Sequence, residues 1–207
     1  MGYSLPVNEA RLRRVGRYLI VAAIVGVLAV QYVRAIGPSA IDQRAAACHA
    51  LDPTPFSSAL AKLPSPAPAL SLRTLDGAEV TLAGLRGRAV LVNFWLPSCE
   101  PCEREMPSME TLATTLAPEG VSVLAVAEAP ADAVRAFFPH GTPLQVLLDR
   151  RAPGQGAGEI AHRFGTEKYP ESYLIDRRGV VRYYFVNQRD WASAQALACV
   201  RSILEEN

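Results

Sequence analysis

Two cysteines separated by two residues, Cys99 and Cys102, limit the folds open to this chain more than any other feature. They follow an apolar run at residues 89–95, AVLVNFW, which is rich in β-branched and aromatic residues and typical of a strand buried on both faces. The residues after them, EREMPSMETLATTLA, have helical spacing with an expected kink at Pro107. The sequence therefore places the cysteine pair where a central strand passes into a helix.

The rest of the chain alternates between strand and helix patterns. Apolar runs predict two further strands, each followed by a helix, and then a hairpin and a final amphipathic helix, at residues 121–127, 131–138, 143–149, 158–165, 171–186 and 190–205. This order predicts an α/β fold with a mixed central sheet flanked by helices. A CxxC pair at a strand-to-helix corner of such a fold is the thioredoxin-like redox signature.

An apolar segment near the N-terminus predicts one transmembrane helix at residues 18–36. Residues 18–33 carry no charge, and Ala35 and Ile36 extend the stretch because the side chain of Arg34 can snorkel to the lipid headgroups. The alternative is a cleaved signal peptide with a small-residue cleavage pattern. That alternative is weaker, because the stretch exceeds the usual apolar region of about 7–15 residues.

The charges that flank this segment predict its orientation. Four arginines precede it, at positions 11, 13, 14 and 17. The positive-inside rule keeps residues 1–17 in the cytoplasm and sends the remainder across the membrane, whether or not the segment is cleaved. We therefore expect the working part of the protein in the periplasm or an equivalent space.

Composition limits the partners and suggests the domain plan. The 207 residues include 21 basic and 20 acidic side chains, and a formal charge of +1 gives no reason to expect nucleic acid as a partner. Residues 37–69 are rich in Pro, Ala and Ser and predict an extended linker, with a short helix within 44–51. Residues 70–207 then form one domain with a hydrophobic core, since four cysteines are too few for a fold built on disulfides.

Three roles are open to Cys99 and Cys102: half of a metal site, a static disulfide, or reversible redox chemistry. A structural zinc site needs about four ligands, and the three histidines, His49, His140 and His162, show no ligand spacing. A helix N-terminus stabilises a thiolate, and a thiolate is what thiol–disulfide exchange requires. The pattern favours redox chemistry.

The stretch LVNFWLPSCEPCEREMP resembles the active-site stretch of the TlpA/ResA/DsbE family, which are membrane-anchored, thioredoxin-like thiol–disulfide oxidoreductases. A second stretch, KYPESYLIDRRG at residues 168–179, is similar to that family's proline-acid signature. The likeness extends in order over residues 70–205. Ser98 departs from the pattern, since the family usually has tryptophan before the first cysteine, and this weakens any inference about substrate identity.

The resemblance implies a role for each matching residue. Cys99 corresponds to the exposed nucleophile, and Cys102 to the deeper thiol that resolves the mixed disulfide with the substrate. Pro170 corresponds to a cis-proline beside the cysteines. A cis bond there would leave the backbone of Tyr169 free to pair with an extended substrate chain. The alternative for Pro170 is an ordinary proline at strand entry.

Acidic residues near the pair are implied to tune its chemistry. Glu105 matches a partly buried acid of the family, which would raise cysteine pKa values and relay protons. Its alternative is a solvated helix glutamate. Glu100 and Pro101, between the cysteines, are expected to tune the redox potential. Glu171 is either a further acid near the proline or a charge at a strand edge.

The two other cysteines, Cys48 and Cys199, are predicted to form a structural disulfide, because unpaired thiols are unusual outside the cytoplasm. The bridge would fasten the membrane-proximal segment to the domain. One alternative is that the two cysteines are buried thiols that never meet. Another is lipid modification of Cys48, which is weaker because Arg44 separates Cys48 from the apolar segment.

These features together predict a membrane-anchored oxidoreductase that reduces disulfides of extracytoplasmic partner proteins. The resemblance suggests apocytochrome c during cytochrome c maturation as one such substrate. A membrane electron donor of thiol type would reset the pair, and no metal or other cofactor is expected. The alternatives are a thiol oxidase or isomerase, a metallochaperone that holds Cu(I) on the two thiolates, and a binding module without catalysis.

Overall fold

The computed structural model describes residues 9–54, 59–60, 62–151 and 157–204, and the chain divides into two compact units, residues 1–43 and 44–207. The α-helices in the described part are α1 (Glu9–His49), α2 (Glu100–Leu116), α3 (Ala131–Phe137), α4 (Glu159–Phe164) and α5 (Ala194–Leu204). The strands there are β1 (Ser65–Pro66), β2 (Ser71–Thr74), β3 (Glu79–Thr81), β4 (Ala89–Trp95), β5 (Val121–Ala127), β6 (Gln145–Leu148), β7 (Glu171–Ile175) and β8 (Val180–Val186).

The first unit consists largely of α1. Its segment Arg13–Val33 has 21 residues and contains an 18-residue stretch with a mean hydropathy of 1.8, so it is long and apolar enough to cross a membrane. Large apolar side chains along it are exposed, among them Leu19, Val25 and Tyr32. The segment overlaps the transmembrane helix predicted from the sequence and is a candidate membrane span.

The segment after the span differs from the extended linker that composition predicts. Helix α1 continues to His49, and its last turns include three consecutive alanines, residues 45–47, which have the highest helix propensity. Farther along, the N–H of Thr54 donates to the carbonyl of Tyr184 at 2.6 Å, and β1 pairs with β8. Parts of the expected linker therefore pack against the edge of the sheet.

One eight-stranded sheet runs through the second unit in the order β1-β8-β7-β4-β5-β6-β2-β3. The pairs β4–β5 and β5–β6 are parallel, and the other neighbours are antiparallel. The predicted α/β fold with a mixed central sheet is confirmed. The parallel strands β4, β5 and β6 have their carboxyl ends on the same side of the sheet, and β7 begins on that side because it is antiparallel to β4.

Strand β4 is buried on both faces, as its apolar run predicts. Leu91 and Trp95 point into a core that they share with α2 and α5. Val92 and Phe94 point into a second core, where Phe94 packs against Phe164 of α4 with ring centroids 5.4 Å apart. Successive side chains of β4 thus pack against helices on opposite faces of the sheet, and this packing positions the start of α2.

The final helix is shorter than predicted. Residues 190–193 form a turn in which the Ser193 hydroxyl donates to the carbonyl of Asp190 at 2.7 Å. The same hydroxyl accepts the N–H of Ala196 at 3.2 Å, which is the pattern of a helix N-cap. Helix α5 therefore begins at Ala194, and the turn before it is free to contact α2.

Candidate active site

The cysteine pair lies at the first turn of α2, directly after β4. Cys99 is the N-cap residue, and the N–H of Cys102 donates to its Sγ at 3.3 Å. The two sulfurs form a disulfide. Cys99 is partly exposed, whereas Cys102 is fully buried, so a partner reaches the first sulfur. After reduction, the same N–H and the helix dipole would stabilise a thiolate on Cys99.

The loop before β7 contacts this disulfide. The Tyr169–Pro170 peptide bond is cis, and the carbonyl oxygen of Tyr169 lies 3.6 Å from Cys99 Sγ. Antiparallel pairing of Phe94 with Glu171 brings the start of β7 beside the end of β4. The structure thus brings together four residues that the sequence assigns to the site: Cys99, Cys102, Tyr169 and Pro170.

Glu128, which was not predicted from the sequence as a site residue, holds the side chain of Tyr169 in place. The Tyr169 hydroxyl donates to the Glu128 carboxylate, which also accepts the N–H of Gly158 at 2.7 Å and pairs with Arg151. Burial raises the pKa of Tyr169, and the bond to Glu128 raises it further, so the hydroxyl stays a donor. The position of Glu128 in the sequence could have indicated a role in the site. Glu128 directly follows β5, whose carboxyl end lies beside that of β4.

Glu105 lies one turn after Cys102 on α2, and only 1% of it is exposed. Its carboxylate accepts the Trp191 indole N–H at 2.7 Å, the Arg189 backbone N–H at 3.0 Å and the Asn93 amide N–H at 3.0 Å. Burial raises the pKa of Glu105 to about 7, against the lowering effect of these donors. The solvated-glutamate alternative is wrong.

Asn93 links Glu105 to β7. Its amide nitrogen also donates to Ser172 Oγ at 2.9 Å, while its amide oxygen is buried without a partner among the described residues. Rotating the amide by half a turn would direct that oxygen at Glu105, where it would accept the proton of the neutral acid. Asn93 therefore has a partner atom for each protonation state of Glu105.

A polar cavity of about 180 Å³ lies beside Glu105, between α2 and the loop before α5. Its lining residues are Arg104, Glu105, Ser108, Gln188, Arg189 and Asp190. Arg104 donates from Nε to Gln188 Oε1 at 3.0 Å and pairs with Glu100. The cavity is lined by polar residues and is large enough for a few water molecules, which would give protons a route between solvent and Glu105.

The other predicted tuning residues occupy different environments. Glu100 is exposed, and Pro101 occupies the first turn of α2. Glu171 is buried and accepts the N–H of Lys168 at 3.1 Å. Burial raises the pKa of Glu171, although its hydrogen bonds oppose that rise. Glu171 is thus a buried acid beside the cis-proline and not an exposed strand-edge charge.

Cys48 and Cys199 form a second disulfide with an S–S distance of 2.03 Å, and both are fully buried. It joins the last turn of α1 to α5. The neighbouring ring of His49 packs edge-on against Tyr183, with centroids 6.1 Å apart. Within the described residues, no cluster of three or more Cys, His, Asp and Glu side chains is arranged to hold a metal ion.

Comparison with known proteins matches residues 64–184 to the model of the AhpC/TSA family. The chain is 35% identical over 121 residues to the thioredoxin-like protein YneN of Bacillus subtilis and 33% identical over 120 residues to the thiol-disulfide oxidoreductase ResA of Geobacillus thermodenitrificans. These matches cover 56% and 57% of this chain and 66% of each relative, just under two thirds of their length.

The fold is also similar to solved structures. One is a thiol:disulfide interchange protein of the thioredoxin family from Chlorobium tepidum, with a TM-score of 0.58 and 29% sequence identity. The superposition covers 68% of this chain and 97% of that one. The expected thioredoxin-like fold is confirmed.

Proposed function

This chain belongs to the AhpC/TSA family and has a thioredoxin-like fold, and on that premise we propose that it is a thiol–disulfide oxidoreductase whose working dithiol is Cys99 and Cys102. One observation carries the proposal. The two sulfurs form a disulfide at a helix N-terminus, with one of them partly exposed and 3.6 Å from the Tyr169 carbonyl. The partly exposed sulfur of such a disulfide, that of Cys99, is accessible to an incoming thiolate.

Reduction of a substrate takes two exchanges. The thiolate of Cys99 attacks a substrate disulfide, forms a mixed disulfide and releases one substrate thiolate, which takes up a proton. Cys102 then loses its proton and attacks Cys99 Sγ, so the second substrate sulfur leaves and the Cys99–Cys102 disulfide forms. Two electrons have passed to the substrate. A membrane donor of the thiol type returns them by the same exchange in reverse.

Glu105 is the residue that we assign to proton transfer at Cys102. It follows Cys102 by one turn of α2, and a pKa of about 7 leaves it partly charged near neutral pH. A group with such a pKa accepts and returns a proton with little cost in either direction. Water molecules in the cavity that Arg104 and Ser108 line would carry protons between Glu105 and solvent.

The same carboxylate favours a reductant over an oxidant. A negative charge near the pair opposes thiolate formation and raises the thiol pKa. Strong oxidants of this chemistry owe their high potential to a stabilised reduced form. Destabilising the thiolate lowers the potential, so the reduced pair donates electrons more readily.

An extracytoplasmic location and apocytochrome c as substrate are the finer parts of the proposal. The candidate span Arg13–Val33 and the arginines around its N-terminal end support the orientation. The resemblance to the TlpA/ResA/DsbE family supports the substrate, a chain whose two nearby cysteines must be reduced before haem attaches.

The direction of electron flow is tested by a redox titration of the full-length protein in detergent, with alkylation of Cys99 and Cys102 as the readout. A midpoint near −270 mV or lower, the region of thioredoxin, supports a reductant, and one near −120 mV contradicts it. Ser98→Ala is the matched control beside the Cys99→Ala variant. Substrate identity is tested separately with Cys102→Ala, which should retain apocytochrome c as a mixed disulfide.

A further inference from the structure

The guanidinium of Arg189, in the loop between β8 and α5, donates to backbone carbonyls of two separate segments. Nε donates to Leu51 at 2.7 Å and Nη2 to Asp52 at 3.0 Å, both just after α1. Nη1 donates to the carbonyls of residues 186–188 at 2.9 to 3.1 Å. The side chain thus fastens its own loop to the end of the membrane-proximal helix.

The backbone of the same residue faces the buried acid. The N–H of Arg189 donates to Glu105 Oε1 at 3.0 Å, and the indole N–H of Trp191, two residues later, donates to the same oxygen at 2.7 Å. Both donors belong to the loop that the guanidinium holds. If the loop shifted, both hydrogen bonds to Glu105 would lengthen together.

The carbonyls of Leu51 and Asp52 are held in place by their surroundings. The buried disulfide from Cys48 to Cys199 fixes the last turn of α1 on α5. Asp52 has a positive φ of 53°, which turns the chain sharply after the helix, and the N–H of Thr54 then joins the edge of the sheet. The segment Cys48–Asp52 therefore offers the guanidinium two fixed acceptors.

We propose that Arg189 is a positioning residue for Glu105, and that it ties the buried acid to the membrane-proximal segment Cys48–Asp52 locked by the second disulfide. The inference rests on the proposed function, in which Glu105 relays protons for Cys102. The segment after the candidate span is then part of the support of the active site. The matched residues 64–184 contain neither this segment nor Arg189.

The charges around Glu105 fix the sign of the expected effect. Arg104 and Asp190 line the cavity beside it, and Arg189 contributes a positive charge and an N–H donor. Asn93 of β4, which donates to Glu105, and Ser172 of β7, which accepts from Asn93, are uncharged. The Arg189 contributions both lower the pKa of Glu105, so weakening them raises it.

Trp191 supplies a reporter that does not depend on enzyme activity. The full-length protein in detergent, with ¹⁵N-labelled tryptophan, gives indole signals from Trp95 and Trp191, and Trp95→Phe assigns them. The Trp191 signal follows the charge on Glu105 through their hydrogen bond. In the wild type its shift should titrate near pH 7 and should be flat in Glu105→Gln.

The variants then separate the possible outcomes. Arg189→Gln should move the Trp191 inflection upward by about 0.5 to 1 pH unit, and Arg189→Lys, which keeps the charge, should move it less. The Cys48→Ala/Cys199→Ala double variant should also move it upward, whereas Arg201→Gln, which removes a surface pair with Glu119, should not. Unchanged inflections in Arg189→Gln and in the double cysteine variant would overturn the inference. If Arg189→Gln does not fold, the double cysteine variant decides by the same criterion.

The proposed function can fail separately. A Trp191 titration that responds to Arg189 while Cys99→Ala retains wild-type disulfide exchange would contradict the oxidoreductase role and leave the positioning role standing. Normal exchange chemistry with an unresponsive Trp191 signal would do the reverse.

Discussion

The carbonyl oxygen of Tyr169 lies 3.6 Å from the Sγ of Cys99, and the hydroxyl of the same tyrosine donates to the carboxylate of Glu128. One residue therefore contacts the reactive disulfide at its backbone and a nearly buried carboxylate at its side chain. The position of the carbonyl depends on Glu128 as well as on the neighbouring proline.

Removing the tyrosine hydroxyl should slow exchange without unfolding the protein. In Tyr169→Phe, Glu128 keeps Arg151 and the N–H of Gly158, so the fold survives the loss of one hydrogen bond. We expect the rate with a disulfide-bonded peptide to fall about fivefold, the equivalent of about 1 kcal/mol. Tyr32→Phe, on the exposed face of α1, is the control, and equal rates in the two variants would contradict this role.

The two disulfides should differ in their response to reductant. Cys99 is partly exposed, whereas Cys48 and Cys199 are fully buried. Native protein treated with dithiothreitol, and then denatured and alkylated, should gain two labels, both in the single tryptic peptide that contains Cys99 and Cys102. Protein denatured before the dithiothreitol is added should gain four. Labels on Cys48 in the native protein would show that the second bridge is open to exchange.

Loss of the second disulfide should lower stability substantially. Its cysteines are 151 residues apart, and the chain-entropy model assigns a loop of that length about 5 kcal/mol at most. We expect Cys48→Ala/Cys199→Ala to lower the free energy of unfolding by about 3 to 5 kcal/mol, measured by denaturant titration in detergent. A loss below about 1 kcal/mol would mean that packing alone holds α1 to α5.

Glu105 should make stability depend on pH in the unusual direction. Its pKa is raised from 4.5 to about 7 on folding, so the folded state holds the proton more tightly than the unfolded state. The stabilisation is complete below pH 4.5 and is lost as pH rises to about 7. Relative to Glu105→Gln, the wild type should therefore lose about 3 kcal/mol between pH 4.5 and pH 7.5. Parallel stability curves would contradict the raised pKa.

Local sequence patterns predicted the strands and the position of Cys99 at the junction of β4 and α2 well, because the order of apolar residues within one strand or helix reflects which of its side chains are buried. The run from Ala89 to Trp95 is apolar since both faces of β4 are covered, and Cys99 caps α2 where the run ends. The two-residue strand Ser65–Pro66 could not be found in this way. It exists because β8 offers it an edge to pair with, and no periodicity marks so short a segment.

The surroundings of the site depend on contacts between distant parts of the chain. Glu105 is buried by Trp191, 86 residues later, and Arg189 reaches back 138 residues to Leu51. Helical spacing places Glu105 one turn from Cys102 but does not show what covers it. Glu128 was missed for a related reason, since its partner Tyr169 is 41 residues away in the chain.

The most direct test of the account asks whether the sulfur of Cys99 performs the exchange. Full-length protein in detergent is reduced and mixed with a disulfide-bonded peptide, and mass spectrometry follows the products, with Ser98→Ala as control. We expect wild type and Ser98→Ala to reduce the peptide, Cys102→Ala to stop at a mixed disulfide through Cys99, and Cys99→Ala neither to reduce the peptide nor to form a mixed disulfide with it. Reduction by Cys99→Ala at the wild-type rate would contradict the account.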